Sequence, residues 1–133
     1  MVGILLASHY TLGECLKDTA SHIVGERDNV LALALNRSDK AEHFAEKIKE
    51  AVAKLEKGDG VIIFTDMFGG TPCNAAMSLY LNDESVRIIT GFNLPLVIEA
   101  IMHSDKPIDE LVKSLMDKRD KTIVDAKALF RKR

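Results

Sequence analysis

Two patterns of hydrophobic residues alternate along most of this chain. Short apolar runs, such as residues 2–7 and 61–64, are typical of strands that are buried on both faces of a parallel sheet. Between these runs, apolar residues recur every three or four positions, which is typical of amphipathic helices. Strands that alternate with helices build βαβ units. The pattern therefore predicts a doubly wound, three-layer α/β/α fold with a mainly parallel sheet.

The pattern predicts the following elements. The strands are residues 2–7, 30–35, 61–65, 86–90 and a short edge strand at 122–124. The helices begin at Thr11, at Ser38 or Asp39, at Thr71, at Asn93 and in the turn that contains Pro107. Thr71, Asn93 and the proline after each are good helix starts, because a polar side chain caps the free amides and proline has no N–H to lose.

The first helix has the most specific local signals. Thr11 and Glu14 have the spacing of a capping box, and Gly25 supplies a stop with a left-handed backbone. The face expected to be buried carries Leu12, Cys15, Leu16, Thr19 and Ile23.

The order of the strands decides which loops meet. Right-handed crossovers and the order 2-1-3-4 place the loops after the first and third strands on either side of the crevice where the strand order reverses. His9 follows the first strand, and Asp66 follows the third, just before Gly69-Gly70-Thr71-Pro72. We therefore expect an imidazole, a carboxylate and a glycine-rich helix start to meet there.

This combination suits the transfer of a phosphoryl group through histidine. A neutral imidazole is a competent nucleophile near neutral pH. If Asp66 accepts a hydrogen bond from one ring nitrogen of His9, it fixes the tautomer and leaves the other nitrogen free to attack phosphorus. Which nitrogen is free stays open at this stage.

The phosphoryl group brings about two negative charges, which need hydrogen-bond donors. The start of a helix provides free amides and a favourable dipole. Gly69 and Gly70 leave the approach open, the amides of Gly70, Thr71 and Cys73 are the expected donors, and the hydroxyls of Thr71 and Ser8 add two more.

Composition narrows the classes of function. The 133 residues are 47% hydrophobic and 29% charged, with a net charge of -2, which suits one globular domain without a nucleic-acid surface. No apolar stretch is long enough to cross a bilayer, and the start does not resemble a signal peptide. Cys15 and Cys73 fit neither a disulfide framework nor a metal site. We therefore expect a cytoplasmic protein that needs no metal or nucleotide cofactor and exchanges its phosphoryl group with other proteins.

Three segments carry a family resemblance: residues 3–9 (GILLASH), 65–76 (TDMFGGTPCNAA) and 90–95 (TGFNLP). Together they resemble the enzyme IIA component of the mannose/fructose/sorbose family of the bacterial sugar phosphotransferase system, and the similarity covers nearly the whole chain. The middle segment is the most specific. One departure is Met67, because some members carry a hydroxyl residue just after the aspartate.

The resemblance implies a phosphocarrier. His9 would accept the phosphoryl group from the phosphocarrier protein HPr and pass it to a IIB component, which works with the membrane components IIC and IID. Asp66 would orient His9, and Thr71 would lie near the phosphate. The family also implies a homodimer that exchanges a C-terminal strand, for which residues 122–124 are the candidate. Because the sequence stops at Arg133 without a IIB domain, we expect residues 1–133 to be a single IIA domain that acts as a separate subunit or fragment.

Other hypotheses stay open from the sequence. The phosphoryl-transfer subunit of a dihydroxyacetone kinase also uses a histidine after its first strand. A chelatase-like metal enzyme would need a second inward ligand, and a non-catalytic module could hold an anion or a partner in the same crevice. The sugar is not readable from this chain.

Overall fold

A sheet of four parallel strands in the order β2-β1-β3-β4 forms the centre of the molecule, a computed structural model that describes residues 1–131. The strands are β1 (Gly3–His9), β2 (Val30–Leu35), β3 (Val61–Thr65) and β4 (Val86–Thr90). The helices are α1 (Leu12–Val24), α2 (Ala41–Leu55), α3 (Thr71–Tyr80), α4 (Leu94–Met102), α5 (Ile108–Lys118) and α6 (Ala126–Arg131), with a 3₁₀ helix at Arg119–Lys121. The predicted doubly wound fold and strand order are confirmed.

Helices cover both faces of the sheet, so the two central strands, β1 and β3, are buried almost throughout. Because side chains alternate across a strand, Ile4 and Leu6 pack on one face, with buried residues of α1, α4 and α5. Leu5 and Ala7 pack on the other face, with buried residues of α2 and α3. The three-layer arrangement is therefore confirmed. Within residues 1–131, every helix is too short or too polar to span a bilayer.

The buried face of α1 lies one residue away from the predicted one. The predicted face contains Leu12 and Ile23, which are more than half exposed. Of the predicted face, Leu16 does pack against the core. The other inward residues, Gly13, Ala20 and Val24, each lie one position beyond a predicted residue.

Close packing at Gly13 explains this rotation of α1. A Cβ atom at Gly13 would lie 3.1 Å from the carbonyl oxygen of Leu6 and 3.1 Å from Ser8 Oγ. Only a residue without a side chain lets the helix approach β1 this closely. The hydrophobic pattern alone does not predict such a contact, because glycine has no apolar side chain to contribute to the pattern.

Three predicted helix caps also need correction. Thr11 precedes α1 but its side chain makes no capping bond, so the capping box with Glu14 does not form. Helix α2 begins at Ala41, later than predicted, because the Asp39 carboxylate accepts a bond from the backbone N–H of Asn36 in the preceding turn, at 2.8 Å. Gly70, rather than Thr71, precedes α3.

Two other predictions at helix ends are confirmed. The Asn93 side chain accepts a hydrogen bond from the Leu96 amide at 3.0 Å and so caps α4. Gly25 ends α1 with a φ of +89°.

The predicted strand at residues 122–124 does not form in this chain. These residues lie between the 3₁₀ helix and α6, and Ile123 is 82% exposed. Thr122 Oγ1 accepts a bond from the Asn93 side chain at 2.9 Å and donates to Arg119 O at 2.7 Å, which ties the start of the segment to helix ends instead of to the sheet. Three residues form too few ladder bonds to offset the entropy of ordering them. Exchange of this segment with a second subunit stays a prediction, and α6 was not predicted.

A pair of glycines tests how tightly the loop before β3 is packed. Gly58 and Gly60 both have positive φ angles, of +105° and +86°. A Cβ atom at Gly60 would lie 2.7 Å from Ser85 O and 2.8 Å from Ile108 Cδ1, whereas at Gly58 it would meet nothing within 4 Å. We therefore expect Gly60→Ala to lower the free energy of unfolding by about 1–3 kcal/mol more than Gly58→Ala, measured by urea denaturation. Equal losses of unfolding free energy in the two variants would show that only backbone strain, and not the close contact at Gly60, destabilises the protein.

Candidate active site

The parallel pairing of β1 and β3 brings His9 and Asp66 together. Ala7 pairs with Thr65, so both strands reach the same edge of the sheet at the same level. His9 is the last residue of β1, two residues beyond the predicted end of that strand, and Asp66 directly follows β3. The juxtaposition predicted for these two residues is therefore present in the structure.

One oxygen of Asp66 holds His9 in two ways. Asp66 Oδ2 accepts a hydrogen bond from the backbone N–H of His9 at 3.0 Å and lies 2.9 Å from ring atom Nδ1. Because an ionised carboxylate only accepts hydrogen bonds, Nδ1 carries the proton. The lone pair of the neutral ring is then on Nε2.

Burial differs sharply between the two side chains. Asp66 is 10% exposed and His9 is 44% exposed. The second oxygen of Asp66, Oδ1, is buried and has no hydrogen-bond partner among residues 1–131. The carboxylate is therefore shielded behind the imidazole, while the ring remains accessible from outside.

Gly70 provides the surface against which the ring rests. A Cβ atom at Gly70 would lie 2.7 Å from His9 Cε1 and 3.5 Å from Nε2. The free edge of the ring thus lies next to the N-terminus of α3. Gly69, with a φ of +81°, is exposed and has open space around it, as expected of a residue that leaves an approach clear.

The first turn of α3 has amides available for an anion. The first intrahelical bond runs from Asn74 N to Gly70 O at 2.9 Å, so the amides of Thr71 and Cys73 come before it. The Gly70 amide makes a longer bond, of 3.4 Å, to Met67 O. Thr71 and Cys73 are therefore the better placed of the three predicted backbone donors.

The structure gives Ser8 a role that was not predicted. Ser8 is fully buried, and its Oγ accepts a hydrogen bond from the Gly13 amide at 2.7 Å. The same hydroxyl donates toward the carbonyl oxygens of His9, at 3.2 Å, and Tyr10, at 3.3 Å. Ser8 thus joins the end of β1 to the start of α1. The geometry does not support the phosphate contact expected of it.

An open cavity of about 780 Å³ lies beside the ring. It is lined by His9, Tyr10, Leu35, Asn36, Arg37, Asp39, Ala41 and Thr71. Half of these residues belong to the end of β2 and the loop that leads to α2, a segment that the sequence pattern did not connect with the site. The predicted strand order could have indicated this contribution, because β2 is the other parallel neighbour of β1 and ends at the same edge of the sheet.

Exposed apolar side chains surround the pair. Phe68 is 84% exposed, and Tyr10 and Met67 are more than half exposed. Such residues in surface loops are typical of contact sites for other proteins. They lie directly after His9 and Asp66 in the sequence, so they belong to the loops that carry the pair.

Solved structures share this fold. The PTS (phosphotransferase system) IIA protein associated with the fucose utilization operon of Streptococcus pneumoniae superposes with a TM-score of 0.80 at 32% identity, over 98% of this chain and 99% of that chain. The class of protein is therefore a IIA-type component of the sugar phosphotransferase system.

The family can be stated more closely. A family model described as EIIA-man, PTS system fructose IIA component, matches residues 3–116, and the chain belongs to this family. Over 84% of its length it is 34% identical to the mannose-specific EIIAB component of Escherichia coli, and over 76% it is 29% identical to the fructose-specific EIIA component of Bacillus subtilis. The chain spans 35% of the length of the mannose-specific relative. Family membership favours the sugar-transport hypothesis over the kinase-subunit, chelatase and binding-module alternatives.

Gly70 offers a test of the ring position. Its φ of −74° suits alanine, so Gly70→Ala acts only through the new methyl group, which must push the His9 ring away from its seat. We expect a weaker or shifted Nδ1–H signal in NMR spectra, with an unchanged far-UV circular dichroism spectrum. Gly69→Ala meets nothing within 4 Å and is the control: it strains the backbone but leaves the ring signal in place. An unmoved ring signal in Gly70→Ala would contradict the packing described above.

Proposed function

We propose that this chain is a histidine phosphocarrier that accepts a phosphoryl group from HPr on His9 and passes it to a IIB component during sugar uptake. The observation that carries the proposal is the 2.9 Å contact between His9 Nδ1 and Asp66 Oδ2. It commits one ring nitrogen to the carboxylate and leaves Nε2 of the half-exposed ring as the nucleophile. The relatives are named for different sugars, so the proposal concerns the transfer and not a particular sugar.

The transfer needs no cofactor, because each N–P bond that forms is matched by a bond to phosphorus that breaks. The lone pair of Nε2 attacks the phosphorus of phospho-HPr, an N–P bond forms on His9, and the N–P bond of the donor breaks, returning its electron pair to the donor. Positive charge develops on the His9 ring, and the Asp66 carboxylate stabilises it through the Nδ1 proton. In the second half, a nucleophile of the IIB component attacks the same phosphorus, and the electron pair returns to Nε2.

The site offers charge stabilisation on the side where phosphorus arrives. The amides of Thr71 and Cys73 and the Thr71 hydroxyl are the donors, and the dipole of α3 favours an anion at its N-terminus. Gly69 and Gly70 place no side chain between this helix end and the ring. Phosphoryl transfer requires mainly positioning and electrostatic stabilisation, both of which this arrangement supplies.

The proposed cellular location of the chain follows from the proteins with which it would exchange the phosphoryl group. A protein donor must reach His9 over the exposed loops, and the apolar side chains of Tyr10, Met67 and Phe68 provide a surface for it. We place the chain in the cytoplasm, as a single IIA domain that forms a homodimer and works with IIC and IID components without entering the membrane itself.

The direct test is phosphorylation by the partner proteins. Incubation with phosphoenolpyruvate, enzyme I and HPr should place an acid-labile phosphate on His9, and ³¹P NMR should assign it to Nε2. His9→Gln should remove the label completely. His43→Gln, which changes an exposed histidine on α2, should keep it. An unlabelled wild-type protein with cognate partners would refute the carrier function, and a label that survives His9→Gln would place it on another residue.

Substitutions of Asp66 separate its charge from its geometry. Asn at this position keeps an oxygen that can accept both bonds from His9 but removes the negative charge, so we expect the rate of phosphorylation by HPr to fall on the order of 10²-fold. Ala also removes the acceptor and should slow transfer further, while circular dichroism still shows a folded chain. Rapid-quench measurement of the transfer rate checks both. A rate in Asp66→Ala equal to that of the wild type would remove the orienting role.

A further inference from the structure

The loop between β2 and α2 starts directly beside His9. Leu35 pairs with His9 in the parallel register, and the backbone N–H of Tyr10 donates to Leu35 O at 2.8 Å. Tyr10 itself has a φ of +49°, an unusual left-handed conformation for a tyrosine, where the chain turns away from β1. Residues 36–40 therefore leave the sheet at the wall of the cavity that contains the ring.

A closed turn presents Arg37 at the tip of this loop. The Asp39 amide donates to Asn36 O at 3.0 Å, and the Asn36 amide donates to Asp39 Oδ2 at 2.8 Å. The Asp39 carboxylate is thus engaged with the backbone of the turn. Arg37 is exposed and takes part in none of the ion pairs among residues 1–131.

Phosphorylation of the ring would leave an excess of negative charge around the cavity. Of the residues that line the cavity, Arg37 has a permanent positive charge and Asp39 a negative one, and Asp66 adds a second negative charge behind the ring. The phosphoryl group adds about two more negative charges. The dipole of α3 offsets only part of this charge, and Met67 has no hydroxyl to offer where some family members have one.

We infer that the guanidinium of Arg37, which lines the same cavity as His9 and Thr71, binds the phosphoryl group on His9. The inference rests on the proposed function. A planar guanidinium donates two parallel hydrogen bonds to phosphate oxygens, which an ammonium group does not reproduce. Arg37 would therefore contact the transferred group directly, together with the proposed donors, the Thr71 and Cys73 amides.

The sharpest test needs no partner protein. Phosphoramidate transfers its phosphoryl group to an imidazole nitrogen and releases ammonia, so it can label His9 chemically. The phosphate of labelled wild type, Arg37→Ala, Arg37→Lys and Lys40→Ala is then titrated by ³¹P NMR. A nearby cation favours the dianion, so Arg37→Ala should titrate at a higher pH than wild type. Arg37→Lys should lie between them, and Lys40→Ala, which removes a charge from the same loop outside the cavity lining, should match wild type.

Transfer kinetics give a second measurement. Loss of a charge-assisted hydrogen bond at a half-exposed site should slow phosphorylation by HPr roughly 3- to 10-fold in Arg37→Ala, and Lys40→Ala should stay within about twofold of wild type. An unchanged titration midpoint in Arg37→Ala would overturn the inference, even if transfer from HPr were slower, because Arg37 would then contact the partner protein and not the phosphate. Equal shifts in Arg37→Ala and Lys40→Ala would also overturn it, because they would reflect only the general field of the loop.

The two proposals fail in different ways. If HPr does not label the wild-type protein, the carrier function falls, whereas chemical labelling still reports whether Arg37 touches the phosphate. If HPr labels His9 normally and the phosphate titrates alike with and without Arg37, the carrier function stands and the role of Arg37 falls.

Discussion

The site depends on the single carboxylate oxygen that joins the ends of β1 and β3. Asp66 Oδ2 accepts a bond from the His9 backbone as well as from the His9 ring. The backbone bond positions the carboxylate whatever the ring does, so the ring has a fixed acceptor to turn toward. Because the acceptor is charged and largely buried, both bonds are stronger than they would be in water. Tautomer, ring orientation and the choice of free nitrogen all follow from this arrangement.

The topology of the sheet explains why such distant segments meet. In the order β2-β1-β3-β4, β1 has a parallel neighbour on each side, and all three strands end at one edge. The loop after β3 contributes Asp66 and the start of α3, whereas the loop after β2 contributes Arg37 and Asp39. His9 therefore stands between two loops of different chemistry, one rich in backbone donors and the other with an exposed cation on a turn. Reversal of strand order at β1 creates the crevice between them.

How well each feature could be predicted depends on how local its cause is. β2, β3 and β4 match the predicted ranges because each is a short run dominated by apolar residues, although only β3 is buried throughout. His9 and Asp66 followed from the strand order. The buried face of α1 did not, because a shift of one residue turns a helix by about 100° and packing at Gly13 decided it. The placement of Ser8 depends on a hydrogen bond between the end of β1 and α1, and that of Arg37 on a hydrogen bond within a loop; hydrophobic periodicity encodes neither. Residues 122–124 have the composition of a strand but no ladder partner among residues 1–131.

The proposed carrier function requires that the phosphoryl group be released as readily as it is accepted, and the geometry suits that requirement. A phosphoryl group on Nδ1 would lie against the Asp66 carboxylate, and the two negative charges would repel each other. On Nε2, the imidazole ring separates them, so the carboxylate stabilises the ring without opposing the phosphate directly. The ring is 44% exposed, and the proposed donors are a few helix amides and one exposed arginine, so the phosphate stays accessible to the acceptor. Deeper burial or more cations would bind the phosphate more tightly in the ground state, which slows the next transfer because that stabilisation must be overcome.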